Sequence, residues 1–509
     1  MKLENLITGL NISSISAQGQ GDVSGICYSA DQCVPDSLFV AIPGLRYDGH
    51  DFITEAIKRG ARYIVHEKEW TPSAGTVSIR VPDSRRALGI LAKNYFGNPS
   101  AQLVVIAVTG TSGKTTTTYL LESIFSCAGF NCGVLGTVNY RFNDQVCPAP
   151  NTTPESCEMQ KILREMADGG VTHVIAEVSS HAIDLKRIDD CDFDVGVFTN
   201  LSSEHLDYHL TMESYYQAKK RLFTEVLSQS KKKYPQKMII NADDNWGKRI
   251  LNEVALPALA YGFGQNCAVR IREYHLSLEG IDASLDVNGE TISVRSALIG
   301  KFNLYNIAAA AAVSVVLGLP ATVIRSGIEK LTSVPGRLEK ITTSFGAHVF
   351  VDYAHKPDAL TQVLHNLSGL RQKKIITVFG CGGNRDRIKR PMMGQAATQY
   401  SDLTIITSDN PRLEDPMAII GEIEQGVDRE KIRKIPERDL RTESQSHLYT
   451  VIPDRRRAIE AAVFAAEPGD IILIAGKGHE DYQILGDRKI NFDDRVVARE
   501  SLRRREGAH

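Results

Sequence analysis

The chain has no cysteine pair spaced C-x-x-C. Its nine cysteines (Cys27, Cys33, Cys127, Cys132, Cys147, Cys157, Cys191, Cys267 and Cys381) follow no pattern. An odd, scattered set argues against a disulfide framework and against a structural zinc site. Net charge is nearly absent too, at −2 over 509 residues. No overall field draws nucleic acid or an anionic membrane, so any anionic ligand must be met by local basic groups. Arg503 to Arg505 form a short basic tail that reads as a solvated helix end. Long apolar runs are also missing. Met1-Lys2-Leu3-Glu4-Asn5 leads into no continuous apolar region, so no secretory signal is expected. The longest small-apolar stretch, Ile307 to Leu319, is too short to span a bilayer and reads as a buried helix. There is no internal repeat and no low-complexity tract. What remains, 42% hydrophobic and 24% charged residues, describes a globular protein expected in the cytoplasm, with no membrane insertion and no nucleic-acid partner.

The most informative stretch is Thr109-Gly110-Thr111-Ser112-Gly113-Lys114-Thr115-Thr116. An apolar run from Leu103 to Val108 feeds a Gly-bearing turn, and a helical pattern follows from about Thr115 to Phe125. Such a turn lets backbone N–H groups converge on phosphate oxygens while the helix aims its N-terminal partial charge at the same point. Lys114 then reaches the outer phosphates and the Thr115 hydroxyl can join a Mg²⁺ shell. The spacing G-x-x-G-K-T is two residues shorter than the general phosphate-loop pattern.

At roughly 100–200 residues per domain the chain holds about three. Asn98-Pro99-Ser100 and Val334-Pro335-Gly336-Arg337 punctuate it, giving 1–98, 99–334 and 335–509. The first region mixes strands (Ser37 to Ile42, Tyr63 to His66) with helices (Phe52 to Arg59, Arg85 to Tyr95). Its polar loop after a strand, Pro43 to His50, is a candidate binding loop. In the second, apolar strands (Val171 to Val178, Val195 to Thr199, Met238 to Asn241) alternate with helical segments (Cys157 to Ala167, Met212 to Val226). The third repeats the alternation with Val349 to Val351, Ile375 to Phe379, Leu403 to Thr407 and Ile471 to Ala475. The expected class is therefore α/β: a central, doubly wound phosphate-loop domain, a Rossmann-like C-terminal domain and a smaller N-terminal α/β domain.

Ligands on such sheets sit beyond the carboxyl ends of strands. Glu177 and His205 stand at neighbouring strand ends and would complete a metal shell near the phosphate loop. In the C-terminal region four strand tips carry glycine and charge: Asp352-Tyr353-Ala354-His355, Gly380 to Asp386, Ser408 to Arg412 and Gly476-Lys477-Gly478-His479-Glu480. Core packing needs none of them.

Taken together, the phosphate loop, Asn151-Thr152-Thr153-Pro154, Glu177-Val178-Ser179-Ser180-His181, Asn200-Leu201 through His205-Leu206-Asp207, Lys219, Gly300 to Asn306 and Asp352 to His355 resemble the Mur ligases over essentially the whole chain. These are the ATP-dependent amino-acid-adding enzymes of peptidoglycan synthesis. Asp409-Asn410-Pro411-Arg412 is similar to the signature of the MurE-type branch that adds meso-diaminopimelate rather than lysine. The resemblance implies ATP, Mg²⁺, UDP-N-acetylmuramoyl-L-alanyl-D-glutamate and meso-diaminopimelate as ligands, an acyl-phosphate intermediate and a monomer. It implies that Gly110, Thr111, Ser112, Gly113, Lys114, Thr115 and Thr116 hold phosphates. Asn303 and Asn306 match adenine-side contacts, and Arg337 and Asp352 match contacts to γ-phosphate and ribose, with His355 beside them. Thr115, Glu177, His205 and Lys219, the last as a carbamate, would serve the metal. Lys114, Lys219, His205 and Glu177 form the expected catalytic set.

Ser29, Leu45, Arg46 and Tyr47 correspond to the uridine-diphosphate region, although Tyr28-Ser29-Ala30 stands where the family commonly reads Asp-Ser-Arg. Asn151, Thr152, Thr153, Ser179 and Arg187 correspond to contacts with the muramoyl-dipeptide. Arg385, Asp409, Asn410, Pro411, Arg412, Gly476 and Glu480 would form the amino-acid pocket. There Arg412 would bind the distal carboxylate that lysine lacks, while Asp409 with Asn410 or Glu480 would take the ammonium. Asn384 stands where Asp is frequent. The same fold could instead serve an L-lysine ligase, a folylpolyglutamate or cyanophycin-type synthetase, or a nucleotide-dependent switch ATPase. The resemblance further implies that the C-terminal domain closes on ATP.

Overall fold

The computed structural model describes residues 1–16, 21–44, 47–232, 236–287, 289–443 and 445–507. It parts into two compact units. The first comprises Met1–Arg272, Leu285–Ile292 and Tyr305–Ile328, and the second Glu273–Ser284, Ser293–Leu304 and Glu329–His509.

The first unit begins with a sheet of β1 (Ser14–Ile15), β2 (Ile26–Cys27), β3 (Ser37–Val40), β4 (Ala61–His66) and β5 (Val77–Arg80), in the order β1-β5-β4-β3-β2. Strands β2 to β5 are parallel, and β1 closes one edge antiparallel. The helix Ser84–Tyr95 buries Ala87, Leu88, Leu91 and Ala92 on one stripe, and the Asp83 carboxylate caps it by accepting from the Arg86 N–H. Capping matters here because the first N–H groups of any helix lack internal partners.

The larger sheet of this unit is built on β6 (Val104–Thr109), with β7 (Cys132–Leu135), β8 (Tyr140–Phe142), β9 (Gln145–Cys147), β10 (His173–Glu177), β11 (Val195–Phe198), β12 (Lys237–Asn241) and β13 (Ala258–Gly262). Its parallel core runs β13-β12-β11-β6-β10-β7. Val105 to Val108 are wholly buried, as expected of a strand covered by helices on both faces. Strand order turns around β6, with later strands on either side, so its carboxyl end is the switch point where ligands bind on open α/β sheets. Register puts Glu177 of β10 beside Val108, and Phe198 of β11 beside Thr109. The phosphate-loop turn therefore leaves β6 flanked by the tips of β10 and β11.

The helix after that turn, Lys114–Cys127, starts with a run of threonines that are poor helix formers. Burial decides it: Thr117 and Thr118 are fully covered, and the Thr118 hydroxyl donates to the Thr115 carbonyl at 2.7 Å. The helix expected over Met212 to Val226 is α-helical for Met212–Arg221 and then widens into a π-helix at Leu222–Leu227. Such widenings gather at functional sites, and this one follows Lys219 directly.

Three strands, β14 (Val269–Ser277), β15 (Gly280–Val287) and β16 (Glu290–Ser296), come next in the chain. In the second unit β17 (Glu339–Ile341), β18 (His348–Asp352), β19 (Ile375–Phe379), β20 (Leu403–Ile406), β21 (Arg433–Lys434), β22 (Leu448–Val451) and β23 (Ile471–Ala475) form a sheet ordered β17-β18-β23-β19-β20-β22-β21. It is parallel apart from β17, and its inner strands β23 and β19 are buried throughout. A separate hairpin pairs β24 (Tyr482–Leu485) with β25 (Arg488–Asn491). Each expected apolar strand is found, to within a residue or two at its ends. The strands β8, β9, β14 to β16, β24 and β25, with the antiparallel pairs β7–β8, β8–β9 and β24–β25 among them, lie outside the sequence-based expectation. In β16 buried Ile292 and Val294 alternate with exposed residues, and β9 and β25 are exposed throughout, so they form no continuous apolar run.

All nine cysteines are free thiols. Their scatter in sequence nonetheless hides one spatial pair, the sulfurs of Cys27 and Cys33 at 3.0 Å.

Candidate functional site

The phosphate-loop turn is held by the strand tip beside it. The Thr111 N–H donates to the Asn200 carbonyl and the Ser112 N–H to Asn200 Oδ1, both at 2.9 Å. The Thr199 hydroxyl donates to the Ser112 carbonyl at 2.7 Å. This pinning requires glycine at two places. Gly110 has φ +151° and a Cβ there would run into the Thr199 hydroxyl; Gly113 has φ +87° and a Cβ would strike Asn306 Oδ1. Gly113 also caps the helix that begins at Lys114. Thr111 and Ser112 N–H groups are thus committed to Asn200, and the N–H groups of the helix start, from Gly113 to Thr116, follow them in the turn. Lys114 folds over the turn, its ammonium donating to the carbonyls of Gly110 at 2.8 Å and Thr111 at 2.9 Å.

Glu177, at the tip of β10, is buried and lies among oxygens. Its Oε2 accepts from the Thr115 hydroxyl at 3.1 Å and the Thr137 hydroxyl at 2.9 Å, and Oε1 accepts from the Thr137 N–H at 3.0 Å. A carboxylate and a threonine hydroxyl side by side are the hard oxygen donors that Mg²⁺ takes. Among the described residues no group of three His, Cys, Asp or Glu side chains is arranged to hold a metal. A protein contribution of one or two groups, the remainder coming from water and phosphate, is how Mg²⁺ is commonly bound. The residues present fit that ion.

Lys219 is buried, with Nζ 3.0 Å from the Gly110 carbonyl, 3.5 Å from the Thr109 hydroxyl and 4.9 Å from the centre of the Tyr215 ring. Burial, with the like charge of Lys114, pushes its pKa well below the ordinary lysine value. His205 has a left-handed backbone (φ 57°) and is more open; Nε2 lies 3.5 Å from Glu204 Oε1, and its ring meets that of His181 edge-on at 4.8 Å. Burial holds His181 below the usual histidine range.

A chain of polar contacts leads from Glu177 into the N-terminal sheet. Thr137 Oγ1 is 3.1 Å from Thr152 Oγ1; the Thr153 hydroxyl donates to the Glu177 carbonyl at 2.8 Å and accepts from the Ser179 N–H at 3.1 Å. The Ser179 side chain caps the next short helix, and Tyr140 donates to the Asn151 carbonyl. Arg187 donates to the Thr153 carbonyl at 3.2 Å and pairs with Glu155 at 3.2 Å. Arg85 meets the same carboxylate at 3.3 Å and donates to the Pro43 carbonyl at 2.7 Å. Sequence reasoning passed over Thr137, Asn200 as a loop anchor, Glu155 and Arg85. Arg85 entered only as the first residue of the expected helix to Tyr95, and Asn200 only as part of the motif running to Asp207. Ser29 donates to Asp31, and Tyr47 is exposed. Leu45 and Arg46 lie outside the described residues.

Asn306, in this unit, is buried with Oδ1 3.5 Å from the Thr117 hydroxyl. Asn303, in the second unit, donates to the Ile299 carbonyl at 2.8 Å. Arg337 lies over the Tyr353 ring at 5.2 Å. The Asp352 carboxylate accepts from the N–H groups of Leu338 at 2.7 Å and Ala354 at 2.8 Å, fixing the turn that carries Arg337. Burial raises the pKa of Asp352, which the Arg337 charge opposes. His355 is held by the Tyr353 carbonyl at 2.8 Å, and burial lowers its pKa to about 4.

The second unit also gathers the strand-tip residues after β20 and β23. Asp409, Asn410 and Pro411 are buried. Asn410 Nδ2 donates to Glu480 at 3.1 Å, and Gly476 (φ +115°) brings its backbone against the Asp409 carboxylate. Arg412 uses one guanidinium nitrogen on the Gly383 carbonyl at 2.8 Å, and no carboxylate among the described residues pairs with it. Arg385 is exposed. Asn384 accepts from the Leu413 N–H at 3.0 Å, tying its own loop to that of Arg412.

Three family models match: the Mur ligase middle domain over residues 108–314, the Mur ligase glutamate ligase domain over 336–478, and the Mur ligase family catalytic domain over 22–96. The UDP-N-acetylmuramoyl-L-alanyl-D-glutamate--2,6-diaminopimelate ligase of Geobacter metallireducens is 45% identical over 495 residues, 97% of each chain. That of Geobacillus thermodenitrificans is 40% identical over 99% of this chain and 100% of its own. A solved structure of a ligase with the same name is 32% identical, with TM-score 0.68 over 97% of both chains. The UDP-N-acetylmuramoylalanyl-D-glutamyl-2,6-diaminopimelate--D-alanyl-D-alanyl ligase of Acinetobacter baumannii, at 18% identity and TM-score 0.64 over 100% of this chain and 98% of its own, shares the fold.

Proposed function

Because this chain belongs to the Mur ligase family, we propose that it joins meso-diaminopimelate to the D-glutamate of UDP-N-acetylmuramoyl-L-alanyl-D-glutamate, at the expense of ATP, in peptidoglycan synthesis. The observation that carries this is the 45% identity, over 97% of both chains, to a ligase of that name. The loop Asp409-Asn410-Pro411-Arg412 supports diaminopimelate over lysine, since Arg412 offers a guanidinium that no carboxylate among the described residues pairs with. Nothing in the second unit's charged strand tips would serve a switch ATPase.

A carboxylate is a poor acyl donor because oxide would have to leave. An oxygen of the D-glutamate carboxylate attacks the γ-phosphorus of ATP, ADP leaves, and an acyl phosphate results. The amine of the incoming amino acid then attacks the carbonyl carbon. The tetrahedral intermediate collapses with phosphate as leaving group, and the amine gives up a proton. Two anions must meet in the first step, so positive charge has to be concentrated there. Lys114 and the N–H groups from Gly113 to Thr116 hold the β- and γ-phosphates. Thr115 and Glu177 with His205 would hold Mg²⁺, which when bound would supply further charge neutralisation. Lys219 enters as a carbamate: an ammonium repels the cation, whereas its carbamate offers anionic oxygens. The depressed pKa supports this, because only the neutral amine can take up carbon dioxide.

Thr152, Thr153, Ser179 and Arg187 present the muramoyl-dipeptide side, and Ser29 with Tyr47 the uridine side. Arg385, Arg412, Asp409, Asn410, Gly476 and Glu480 receive the amino acid. The work divides as an N-terminal nucleotide-sugar region, a central ATP region and a C-terminal amino-acid region. Both ATP and UDP-sugars are cytoplasmic compounds, which supports a cytoplasmic enzyme. No helix among the described residues is long and apolar enough to cross a membrane.

Phosphate release by the purified protein, with ATP, Mg²⁺ and the UDP-dipeptide, tests the reading. Meso-diaminopimelate and L-lysine are supplied in separate reactions and the product is weighed by mass spectrometry. Turnover with diaminopimelate alone is expected. Turnover with lysine alone would overturn the pocket assignment, and turnover with neither would overturn the ligase.

A further inference from the structure

The amino-acid pocket of the second unit already contains an ammonium. Lys477, in the turn after β23, is completely buried. Its Nζ lies 3.1 Å from Glu480 Oε2, 3.3 Å from Asn410 Oδ1 and 3.6 Å from Asp409 Oδ1, and 5.3 Å from the centre of the Tyr482 ring. These three partners are the groups expected to take the substrate's ammonium.

The hydrogen bonds show what Lys477 does to them. Asn410 Oδ1 accepts from Lys477 and from the Ile484 N–H at 3.0 Å, which leaves its Nδ2 to donate to Glu480 Oε2 at 3.1 Å. Lys477 therefore fixes which way the Asn410 amide faces, and with it Glu480. One oxygen is incompletely satisfied: Asp409 Oδ1 is buried and accepts no hydrogen bond, the Lys477 ammonium standing at 3.6 Å, beyond hydrogen-bond distance. A buried acceptor left without a donor is costly, and one at a pocket wall points to a ligand donor. The contacts agree. In direct contact, Asp409 and Glu480 bring two carboxylates and Lys477 one ammonium, while the charges of Lys389 and of Arg455, the latter in a bidentate, fully buried pair with Asp494, act on Asp409 from further away. The contact set itself has a place for one more ammonium.

We propose that Lys477 is the specificity-positioning residue of the amino-acid pocket: it neutralises one of two carboxylates and aligns Asp409, Asn410 and Glu480 so that a single substrate ammonium completes the set. This rests on the ligase reading above. Asn410 then serves as a relay between Lys477 and Glu480 more than as a direct contact.

The experiment is steady-state kinetics of the full chain for Lys477→Met, Glu480→Gln and the double variant, each substrate being varied in turn. Wild-type turnover with meso-diaminopimelate is measured first; its absence would sink the ligase reading itself. Given that turnover, Lys477→Met should raise the KM for diaminopimelate about tenfold or more, with kcat and the KM for ATP within about threefold. The double variant should match Glu480→Gln alone within about threefold, since the two side chains act as one unit. An unchanged KM for diaminopimelate, equal losses for all three substrates, or multiplying effects in the double variant would each overturn the proposal. If Lys477→Met does not fold, two unpaired buried acids being the cause, the comparison of Glu480→Gln with the double variant decides alone: equal KM values support the proposal and unequal ones refute it.

Discussion

The hydroxyl of Thr115 lies 3.1 Å from Oε2 of Glu177, joining the first turn of the phosphate-loop helix to the tip of the neighbouring strand. Thr137 adds a hydroxyl at 2.9 Å and an N–H at 3.0 Å. A buried carboxylate with three donors is well satisfied without a ligand, so its hydrogen bonds serve the fold and its charge serves the reaction. Replacing Glu177 with Gln separates the two. The amide keeps the shape and an acceptor, so stability should drop by about 1 kcal/mol or less. Losing the charge beside a phosphate site should cut kcat by roughly 10²–10³ and raise the Mg²⁺ concentration needed for half-maximal rate. Thermal melting and a Mg²⁺ titration of phosphate release check both. Near-wild-type activity at low Mg²⁺ would remove Glu177 from the metal site.

The sequence made the phosphate loop legible because one strand–turn–helix carries it, and glycine, lysine and threonine sit there at fixed spacing. Glu177 was legible for a related reason, as an acidic residue ending an apolar strand. Arg85 and Glu155 were not. They lie 70 residues apart, meet at 3.3 Å, and neither breaks any local pattern. Thr137 escaped notice because its donors matter only once β7 lies beside β10 in register. Lys477 sits within a motif that was noted, yet its role depends on burial among Asp409, Asn410 and Glu480, which a linear reading does not supply. Strands β8, β9, β14 to β16, β24 and β25 were missed since they form no continuous apolar run.

Acid should destabilise the second unit. His355 and His479 are buried and held neutral, each with a pKa lowered to about 4 by loss of solvation, to which nearby positive charge adds. In the unfolded chain both titrate near 6.5. Between those values the unfolded chain binds protons that the folded chain refuses, so stability falls as pH falls from about 6.5 to about 4, where the effect is complete. Each group can cost up to about 3 kcal/mol over that window. Melting temperatures of wild type and His479→Gln, measured from pH 7.5 to pH 4.5, should show a shallower decline for the variant. Parallel curves would mean that His479 does not titrate on unfolding.

Lys219 is predicted to be worth little to the fold and much to the reaction. Its folded pKa is depressed, so below the unfolded value near 10.4 the unfolded chain takes up a proton more readily, and the buried amine detracts from stability. Lys219→Met should therefore melt no lower than wild type at pH 8. Turnover should nonetheless fall by about 10² or more, because the carbamate that would meet the metal is gone. In Lys219→Ala, where space opens, added acetate should restore part of the rate by supplying a carboxylate in its place. Full activity in Lys219→Met would refute the carbamate role, and failure of acetate would limit the argument to the variant without space.

Arg412 tests the choice of amino acid. It has a left-handed backbone at φ 53°, anchored by its N–H to the Ile484 carbonyl at 3.1 Å and by its carbonyl to the Gly486 N–H at 2.8 Å. The guanidinium leans on the Gly383 carbonyl and pairs with no carboxylate among the described residues. A planar fork held in this way suits a substrate carboxylate bound through two nitrogens, which an ammonium at the same place could not match. Arg412→Lys should raise the KM for meso-diaminopimelate by about 10–100-fold, and Arg412→Ala by somewhat more, with kcat much less affected. L-Lysine has no distal carboxylate, so its slow reaction should hardly change in either variant. The ratio of the two kcat/KM values is thus the informative quantity, and it should collapse toward one from the diaminopimelate side. If both substrates lose equally, Arg412 supports the loop and does not read the substrate; if lysine gains while diaminopimelate is untouched, Arg412 acts by excluding lysine and not by binding the distal carboxylate.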